Sequence, residues 1–200
     1  MLATLNSGNI LFGLATALIA YPIGAIPTAY LVVRWIKGQD IRCLGDRNVG
    51  AANAARAYGT PAGLAVGTID IAKGLAVVLL PHWLLDLLVA EMLAGFMVII
   101  GHVWPVFLRG WGGRGVANAV GVLLATVSVV AVPMRVLAVV VFYFLKSPTK
   151  TLAVMYIPLH FLAFWLGGYP YLLVFYSSAV PILAGICHLL SLRQSRISSA

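Results

Sequence analysis

The stretch AGLAVGTIDIAKGLAVVLL, residues 62–80, is an apolar run of nineteen residues that contains one acid and one base. At about 1.5 Å per residue, a helix of this length crosses the roughly 30 Å hydrocarbon core of a bilayer. Asp70 and Lys73 lie three positions apart, so they share a helical face and can pair. We favour a structural role for this pair, orienting two helices, over a functional role inside the membrane.

The rest of the chain has the same apolar character. Its 200 residues are 62% hydrophobic and 9% charged, with a mean hydropathy of +1.02, whereas soluble domains carry roughly 25% charged residues. The alternating pattern of a membrane barrel is absent. We therefore expect an all-α integral membrane protein, a single polytopic domain over residues 1–200. No Lys or Arg precedes the first apolar run, so we expect its helix to be retained rather than cleaved as a signal peptide.

The apolar runs predict about seven transmembrane helices. The run from Val116 to Leu145 is too long for one span and contains Pro133 and Arg135. Because proline breaks a helical hydrogen bond and arginine is costly at mid-bilayer, we divide this run in two. Six spans with one long kinked helix are the alternative. The predicted spans are Asn9–Val33, Ala62–Leu80, Leu87–Leu108, Val116–Ala131, Met134–Leu145, Leu152–Leu166 and Tyr171–Leu190.

The distribution of charge predicts the orientation. With seven spans, eleven of the thirteen Lys and Arg residues fall on one side of the membrane. Cytoplasmic loops carry the excess of positive charge, which places the amino terminus outside and the carboxyl terminus in the cytoplasm. The first and third loops carry most of these residues, so a site that they form faces the cytoplasm.

The third loop, RGWGGRGVAN at residues 109–118, has the residue types of an anion site. Glycines allow the backbone to approach a ligand, and the helix predicted to start near Val116 adds the partial positive charge of its amino-terminal end. The functional interpretation is a phosphate cradle. A tight, positively charged turn between two helices explains the same residues without a ligand.

The first loop, DIRCLGDRNVGAANAARAYG at residues 40–59, mixes arginines, glycines and asparagines in the same way. Two basic, glycine-rich loops on one face indicate a ligand with two phosphates, or two phosphorylated ligands. The alternative is a solvated interfacial loop that contacts anionic lipid headgroups.

Two of the four histidines are candidates for the site. His102 and His188 lie toward the cytoplasmic side, whereas His82 falls on the outer side and His160 in the middle of a span, where bonding between helices is the usual role. The sequence has no nucleophile signature and no spacing typical of a metal site. We expect neither a metal nor a cofactor.

Together these motifs resemble the acyl-phosphate:glycerol-3-phosphate acyltransferase family of the PlsY type, from about Tyr21 to Ser191. The resemblance implies a bacterial plasma membrane enzyme of phospholipid biosynthesis with its site facing the cytoplasm. It would transfer a fatty acyl group from acyl phosphate to the 1-hydroxyl of glycerol 3-phosphate, giving lysophosphatidic acid and phosphate. Its partners would be these substrates and membrane lipid, with no nucleic acid. The motifs are GAIPTAY, DIR…G..NVGA.N..RAYG, IDIAKG, GHVWPVF, GGRGVA.A.GV, GGYP and His188.

The resemblance also implies roles for individual residues. The catalytic residues would be Arg56, Arg114, His188 and Thr151. The substrate-binding residues would be Asn48, Asn53, His102, Arg109, Gly112, Gly113, Gly115, Asn118 and Ser191.

The chain departs from the family pattern at Asp46, Arg47, Ala52 and Trp111. A carboxylate at Asp46 would repel a phosphate unless it is paired, and we expect Arg47 or Arg109 to be its partner. Arg109 would also replace a lysine that the family has at the position of Trp111. Two alternatives therefore stay open within the family, a member that no longer catalyses and one that uses another phosphorylated acceptor. An anion transporter is a weaker alternative, because the charges crowd one face and no repeat is present.

Overall fold

The computed structural model describes residues 7–127 and 171–197 and, between them, residues 137, 140, 141, 143–147, 150, 151, 154, 165 and 169. The regular structure of these residues is helical throughout. Four segments are long and apolar enough to cross a membrane, which confirms an all-α fold of membrane-spanning character. They are Ser7–Lys37, Thr60–Leu85, Leu88–Leu108 and Tyr171–Leu190.

The helix boundaries agree with several predicted spans. The second, third and last predicted spans lie within or beside long helices, and the helix after the glycine-rich loop begins at Val116 as expected. The division at Pro133, the placement of Arg135 and that of His160 lie outside the described residues. Seven spans and the orientation stay predictions. The helices are α1 Ser7–Ala25, α2 Thr28–Lys37, α3 Ala51–Tyr58, α4 Thr60–Leu85, α5 Leu88–Val103, α6 Val116–Thr126 and α7 Tyr171–Ile197.

The first predicted span is confirmed as one membrane segment, Ser7–Lys37, but its helix is not continuous, because the chain breaks between α1 and α2 at Ile26 and Pro27. Proline has no N–H to donate, and its ring disfavours helical geometry in the preceding residue. The break leaves the carbonyl of Ile26 outside the helical ladder. It accepts a hydrogen bond from Lys73 Nζ of α4 at 2.6 Å instead.

Glycines allow two pairs of helices to pack with their backbones in close contact. A Cβ on Gly24 of α1 would collide with the backbone of α5, and one on Gly101 of α5 would collide with the backbone of α1. Gly74 of α4 and Gly121 of α6 have the same reciprocal relation. Small residues at helix crossings are typical of membrane proteins, where close packing drives association. These two crossings bring the loops that follow α2 and α5 to one end of the molecule.

The first loop rests on a small apolar cluster of its own. Val33 of α2, Ile41 and Val49 of the loop, Ala54 of α3 and Val66 of α4 are all buried and pack together. Burial of apolar side chains is the main favourable term in holding such a loop. The loop is therefore an ordered platform on the ends of the helices.

Candidate anion site between two loops

A pocket of about 200 Å³ lies where α3 and α6 begin. Gly50 precedes α3 and Gly115 precedes α6, and neither helix has a side chain that caps its first turn. The first N–H groups of a helix have no partner within the helix, and its amino-terminal end carries a partial positive charge. Two such ends therefore favour an anion in this pocket. The polar pocket is lined by Asn48, Gly50, Ala51, Ala52, Asp70, His102, Arg114, Gly115, Val116 and Ala117.

Beside the polar pocket, Asp46 binds the two arginines that were predicted to act in catalysis. Its Oδ2 atom lies 2.6 Å from Nη2 of Arg56 and 2.9 Å from Nη2 of Arg114. The expected partners, Arg47 and Arg109, are not the ones observed, and that prediction is wrong. The Asp46 side chain is 33% exposed and that of Arg56 is 52% exposed. The three charged groups are therefore open to water and to a solute.

Asn53 holds the first loop in shape from beneath. Its side chain is fully buried, and its Nδ2 group donates to the carbonyls of Leu44 at 2.9 Å and Asn48 at 3.0 Å. Its Oδ1 atom accepts the backbone N–H of Asp46 at 3.3 Å. The amide of Asn53 is thus engaged by the loop itself. This placement favours a supporting role over the predicted contact with substrate.

The glycines of the third loop are required by packing as well as by the backbone. Gly113 lies so close to the ring of His102 and the carbonyl of Val49 that a Cβ would collide with both, and its N–H donates to the carbonyl of His102 at 3.1 Å. Gly112 is crowded by the end of α5 in the same way. Gly115 takes a φ of +74°, a left-handed conformation that favours glycine. Of these three residues, Gly115 lines the polar pocket.

Trp111 joins the two loops. Its indole Nε1 donates to the carbonyl of Arg47 at 3.2 Å, and Arg47 has a left-handed backbone with φ of +60°. With the ion pair from Asp46 to Arg114, this bond fixes the first loop to the third. Asp46, Arg47 and Trp111, three of the predicted departures from the family pattern, are therefore neighbours in space.

The acid and base of the opening stretch form a buried ion pair. Asp70 is 1% exposed and Lys73 is 8% exposed, and their charged atoms lie 3.1 Å apart. Thr28 Oγ1 donates to Asp70 at 2.7 Å and also accepts a hydrogen bond from Lys73. His102 Nδ1 lies 3.8 Å from Asp70. The pair ties α4 to the break between α1 and α2, in agreement with the structural role, and Asp70 also reaches the polar pocket.

The remaining predicted residues differ in their relation to the polar pocket. His188 on α7 lies close enough to Arg114 and Asp46 for their charges to act on it. Asn118 of α6 is fully buried, and neither of its amide atoms bonds to any residue that the structure describes. Asp46 therefore joins Arg56 and Arg114, and His188 lies within range of the charges of Asp46 and Arg114.

Among the described residues, no contact joins Thr151 or Arg109 to this group. Thr151 is buried, and its Oγ1 donates to the carbonyl of Ser147 at 2.9 Å. Arg109 is exposed on the turn after α5 with a φ of +54°. Ser191 lies in α7, and its side chain is outside the description. Their roles stay predictions.

A separate ion pair anchors the start of the first loop. Asp40 Oδ2 lies 2.6 Å from Arg42 Nη2, and Asp40 also accepts the backbone N–H of Arg42 at 2.9 Å. The guanidinium of Arg42 beside Asp40 holds the pKa of that carboxyl below its usual value. Asp40 therefore stays ionised, and this pair lies outside the lining of the polar pocket.

At the turn between α4 and α5, three side chains lie close enough together that they could bind one metal ion. The ligand atoms of His82, Asp86 and Glu91 lie within 4.8 Å of one another, and His82 Nδ1 is 3.0 Å from Glu91 Oε1. Their spacing along the chain did not indicate this grouping. His82 follows Asp70 by twelve residues, about 18 Å along a helix, so the group is remote from the polar pocket.

Comparisons with known proteins find relatives along most of the chain. Residues 14–196 match the family described as glycerol-3-phosphate acyltransferase. The chain is 38% identical over 187 residues to glycerol-3-phosphate acyltransferase 4 of Dehalococcoides mccartyi. This match covers 90% of this chain and 97% of the relative. It is 34% identical over 170 residues to glycerol-3-phosphate acyltransferase of Prochlorococcus marinus. That match covers 82% of this chain and 84% of the relative.

Solved structures show the same fold. The crystal structure of PlsY, an integral membrane glycerol 3-phosphate acyltransferase, in its glycerol 3-phosphate form is 28% identical to this chain with a TM-score of 0.78, and the match covers 93% of this chain and 92% of that one. Its lysophosphatidic acid form is 29% identical with a TM-score of 0.77, covering 88% and 87%.

Proposed function

We propose that this chain takes its acyl group from an acyl phosphate and uses the polar pocket for catalysis. The chain belongs to the glycerol-3-phosphate acyltransferase family and is a membrane acyltransferase. The products would be lysophosphatidic acid and inorganic phosphate. The observation that carries the proposal is the convergence of two uncapped helix ends and Arg114 on one pocket. Both substrates carry a phosphate, which is the group that such a pocket favours.

The chemistry needs no covalent enzyme intermediate. The 1-hydroxyl oxygen attacks the acyl carbonyl carbon, a new ester C–O bond forms, and the bond from that carbon to the phosphate oxygen breaks. The proton of the hydroxyl passes to a phosphate oxygen. Arg56, Arg114 and the amide groups at the starts of α3 and α6 stabilise the negative charge that grows on the leaving phosphate. Holding the hydroxyl near the carbonyl supplies much of the remaining rate increase.

The fatty chain would lie in an apolar cavity between α1 and α4. This cavity has a volume of about 210 Å³ and begins on α4 at Val77, roughly 10 Å along the helix from Asp70. An acyl group held at the polar pocket can therefore extend into it. The cavity is lined by Thr16, Ile19, Ala20, Ile23, Val77, Leu80, Pro81, Leu84 and Leu85.

Chain-length preference tests this placement. Ile23→Trp fills the cavity and should shift the preference toward shorter acyl phosphates. Leu18→Trp is the matched control, because Leu18 lies on the same helix with 75% of its surface exposed. A chain-length profile that is the same in both variants would place the acyl chain elsewhere.

The site would face the cytoplasm of a bacterial cell from its plasma membrane. The positive charge of the first and third loops supports this orientation. Cys43 is a natural reporter, because it is exposed in the first loop while Cys187 is buried. A membrane-impermeant thiol reagent should label Cys43 in inside-out vesicles and leave it unlabelled in intact cells. Labelling of Cys43 in intact cells would show that the first loop lies outside, opposite to the proposed orientation.

Acyl transfer by the purified protein tests the function directly. Labelled acyl phosphate and glycerol 3-phosphate should give labelled lysophosphatidic acid. Arg56→Ala and Arg114→Ala should each lower kcat/KM by about 10²- to 10³-fold, the effect of removing one donor to a developing anion. Arg34→Ala is the control, since the side chain of Arg34 bonds the carbonyl of Gly38 at the end of α2 and no other group among the described residues. Activity that survives both site variants would contradict their proposed roles.

A different phosphorylated acceptor is the second candidate, and it is favoured by one observation. Asp46 places a carboxylate against both arginines, which alters the charge that an acceptor meets. Supplying a panel of phosphorylated alcohols in the same assay identifies the preferred acceptor. Failure of every acceptor in a folded protein would indicate a member that has lost catalysis.

A further inference from the structure

A single oxygen of Asp46 serves two arginines. Both Arg56 and Arg114 direct an Nη2 group to Oδ2, at 2.6 Å and 2.9 Å. One anionic oxygen between two guanidinium groups is the arrangement that a phosphate oxygen would make with the same side chains. The carboxylate thus neutralises part of the positive charge of both arginines.

The loop holds Asp46 in this orientation. Its second oxygen, Oδ1, accepts the backbone N–H of Asn48 at 3.3 Å. Its own N–H is bonded to the buried amide of Asn53 at 3.3 Å. Gly45 and Arg47 on either side both have positive φ values, of +52° and +60°. The carboxylate is therefore aimed at the arginines by the backbone around it.

We propose that Asp46 is an internal counter-anion that a substrate phosphate displaces from Arg56 and Arg114, so that Asp46 sets the affinity of the site for phosphorylated substrates. This inference rests on the proposed function, in which the two arginines bind phosphate. It makes Asp46 a specificity-determining residue and leaves the bond-making chemistry to the arginines and helix ends.

Charge explains why displacement is possible and why it has a cost. A phosphate monoester carries close to two negative charges and three acceptor oxygens, whereas a carboxylate carries one charge. The phosphate therefore binds the pair of arginines more strongly. It must break both bonds to Asp46, and the released carboxylate then lies near a like charge. Because the Asp46 side chain is 33% exposed, it can turn toward water.

Kinetics of Asp46→Asn separate this role from a purely structural one. The amide keeps the shape and can still accept the N–H of Asn48, but it removes the negative charge. We expect KM for glycerol 3-phosphate to fall by about threefold to tenfold, the range that two exposed ion pairs provide, with kcat changed less than twofold. A residue that only braced the loop would lower kcat or stability and would not improve KM.

The first loop offers a matched control. Asp40→Asn removes the same charge from the same loop, where Asp40 pairs with Arg42 outside the lining of the polar pocket. Its KM for glycerol 3-phosphate should stay within about twofold of the value for the unmodified protein, because water and salt screen the effect of an exposed charge that does not touch the site. An equal fall in KM in both variants would point to the general charge of the loop and overturn the proposal.

Binding of inorganic phosphate gives a readout that does not need turnover. Calorimetric titration of the detergent-solubilised protein should show tighter binding in Asp46→Asn and weaker binding in Arg56→Ala and Arg114→Ala. If the arginine variants bind phosphate unchanged, the proposed function fails. If they bind it more weakly while Asp46→Asn binds it no more tightly than the unmodified protein, the function stands and this inference fails.

Discussion

Two carboxylates in this protein, Asp46 and Asp70, each meet two basic side chains, and their surroundings are opposite. Asp46 lies between Arg56 and Arg114 with a third of its side chain exposed. Asp70 lies between Lys73 and His102 with 1% exposed. In water, a new anion can replace the carboxylate at little cost, because each freed charge is solvated. In the interior, a freed charge has no such compensation.

The two carboxylates are suited to different tasks although they lie near the same pocket. The exposed group is suited to exchange, and the buried group is suited to hold three helices in one arrangement. The two meet at one pocket, because Asp70 lines it together with Arg114, the partner of Asp46. A charge near this pocket can therefore serve either purpose, and burial decides which.

The largest expected effect is that of Asp70→Ala. It leaves the ammonium of Lys73 buried without its counter-charge, and breaking a buried pair costs about 3–5 kcal/mol. The melting temperature of the detergent-solubilised protein, followed by tryptophan fluorescence, should fall by roughly 10 °C for a chain of this length. The double variant Asp70→Leu with Lys73→Met should recover part of the loss. A melting temperature that does not change in Asp70→Ala would mean that the buried pair contributes no more to stability than an exposed pair such as that of Asp46.

Gly113→Ala should have the next largest effect, because Gly113 lies between the two regions. A Cβ there would collide with the ring of His102 and the carbonyl of Val49, and such overpacking costs about 1–3 kcal/mol. Both the melting temperature and the rate of acyl transfer should fall. Gly67→Ala is the control, since its nearest contact would be an ordinary 3.5 Å from Ala51. Equal losses in the two variants would mean that the close approach of Gly113 to His102 is unimportant.

Asp46→Asn should change stability far less than Asp70→Ala. Exposed ion pairs contribute about 0–1 kcal/mol each, so the melting temperature should shift by a few degrees at most. The same thermal scan measures it. A loss as large as that of Asp70→Ala would show that Asp46 is a structural element of the fold.

The smallest expected effect is the pH dependence due to Asp40. Arg42 lowers the pKa of Asp40 in the folded state, so its contribution is complete above the usual aspartate pKa and is lost as the pH falls through the folded value. For a partly exposed pair this contribution is below about 1 kcal/mol. Melting temperatures of Asp40→Asn and the unmodified protein should differ slightly at pH 7 and converge below about pH 4. A gap that widens on acidification would reverse the sign of this effect.

Parts of the fold follow from local pattern, and these were predicted well. An apolar run of nineteen residues specifies a spanning helix by length alone, as α4 shows. The glycines before Val116 mark the start of α6 because they cannot continue a helix at low cost. The break at Pro27 was missed because the residues around it are as apolar as those of a continuous span, although the proline itself was the available signal.

The pairing of Asp46 with Arg114 could not be found from spacing. Arg114 lies 68 residues away along the chain, and the contact depends on left-handed turns and helix crossings that local composition does not specify. Asn53 illustrates the same limit, since an asparagine in a polar loop fits a ligand contact as well as a buried brace. Residue type narrows the chemistry, and tertiary contacts decide which of two roles a side chain has.

The interrupted first span bears on how this protein enters the membrane. Lys73 reaches beyond its own helix to the carbonyl of Ile26 and to Thr28, both at the break between α1 and α2. A fourth helix that entered the bilayer alone would carry an ion pair without these acceptors, and unsatisfied polar groups are costly in hydrocarbon. Lys73 therefore has these acceptors only when the first span and α4 lie together in the membrane. A proline in the first span would then guide the assembly of its neighbour.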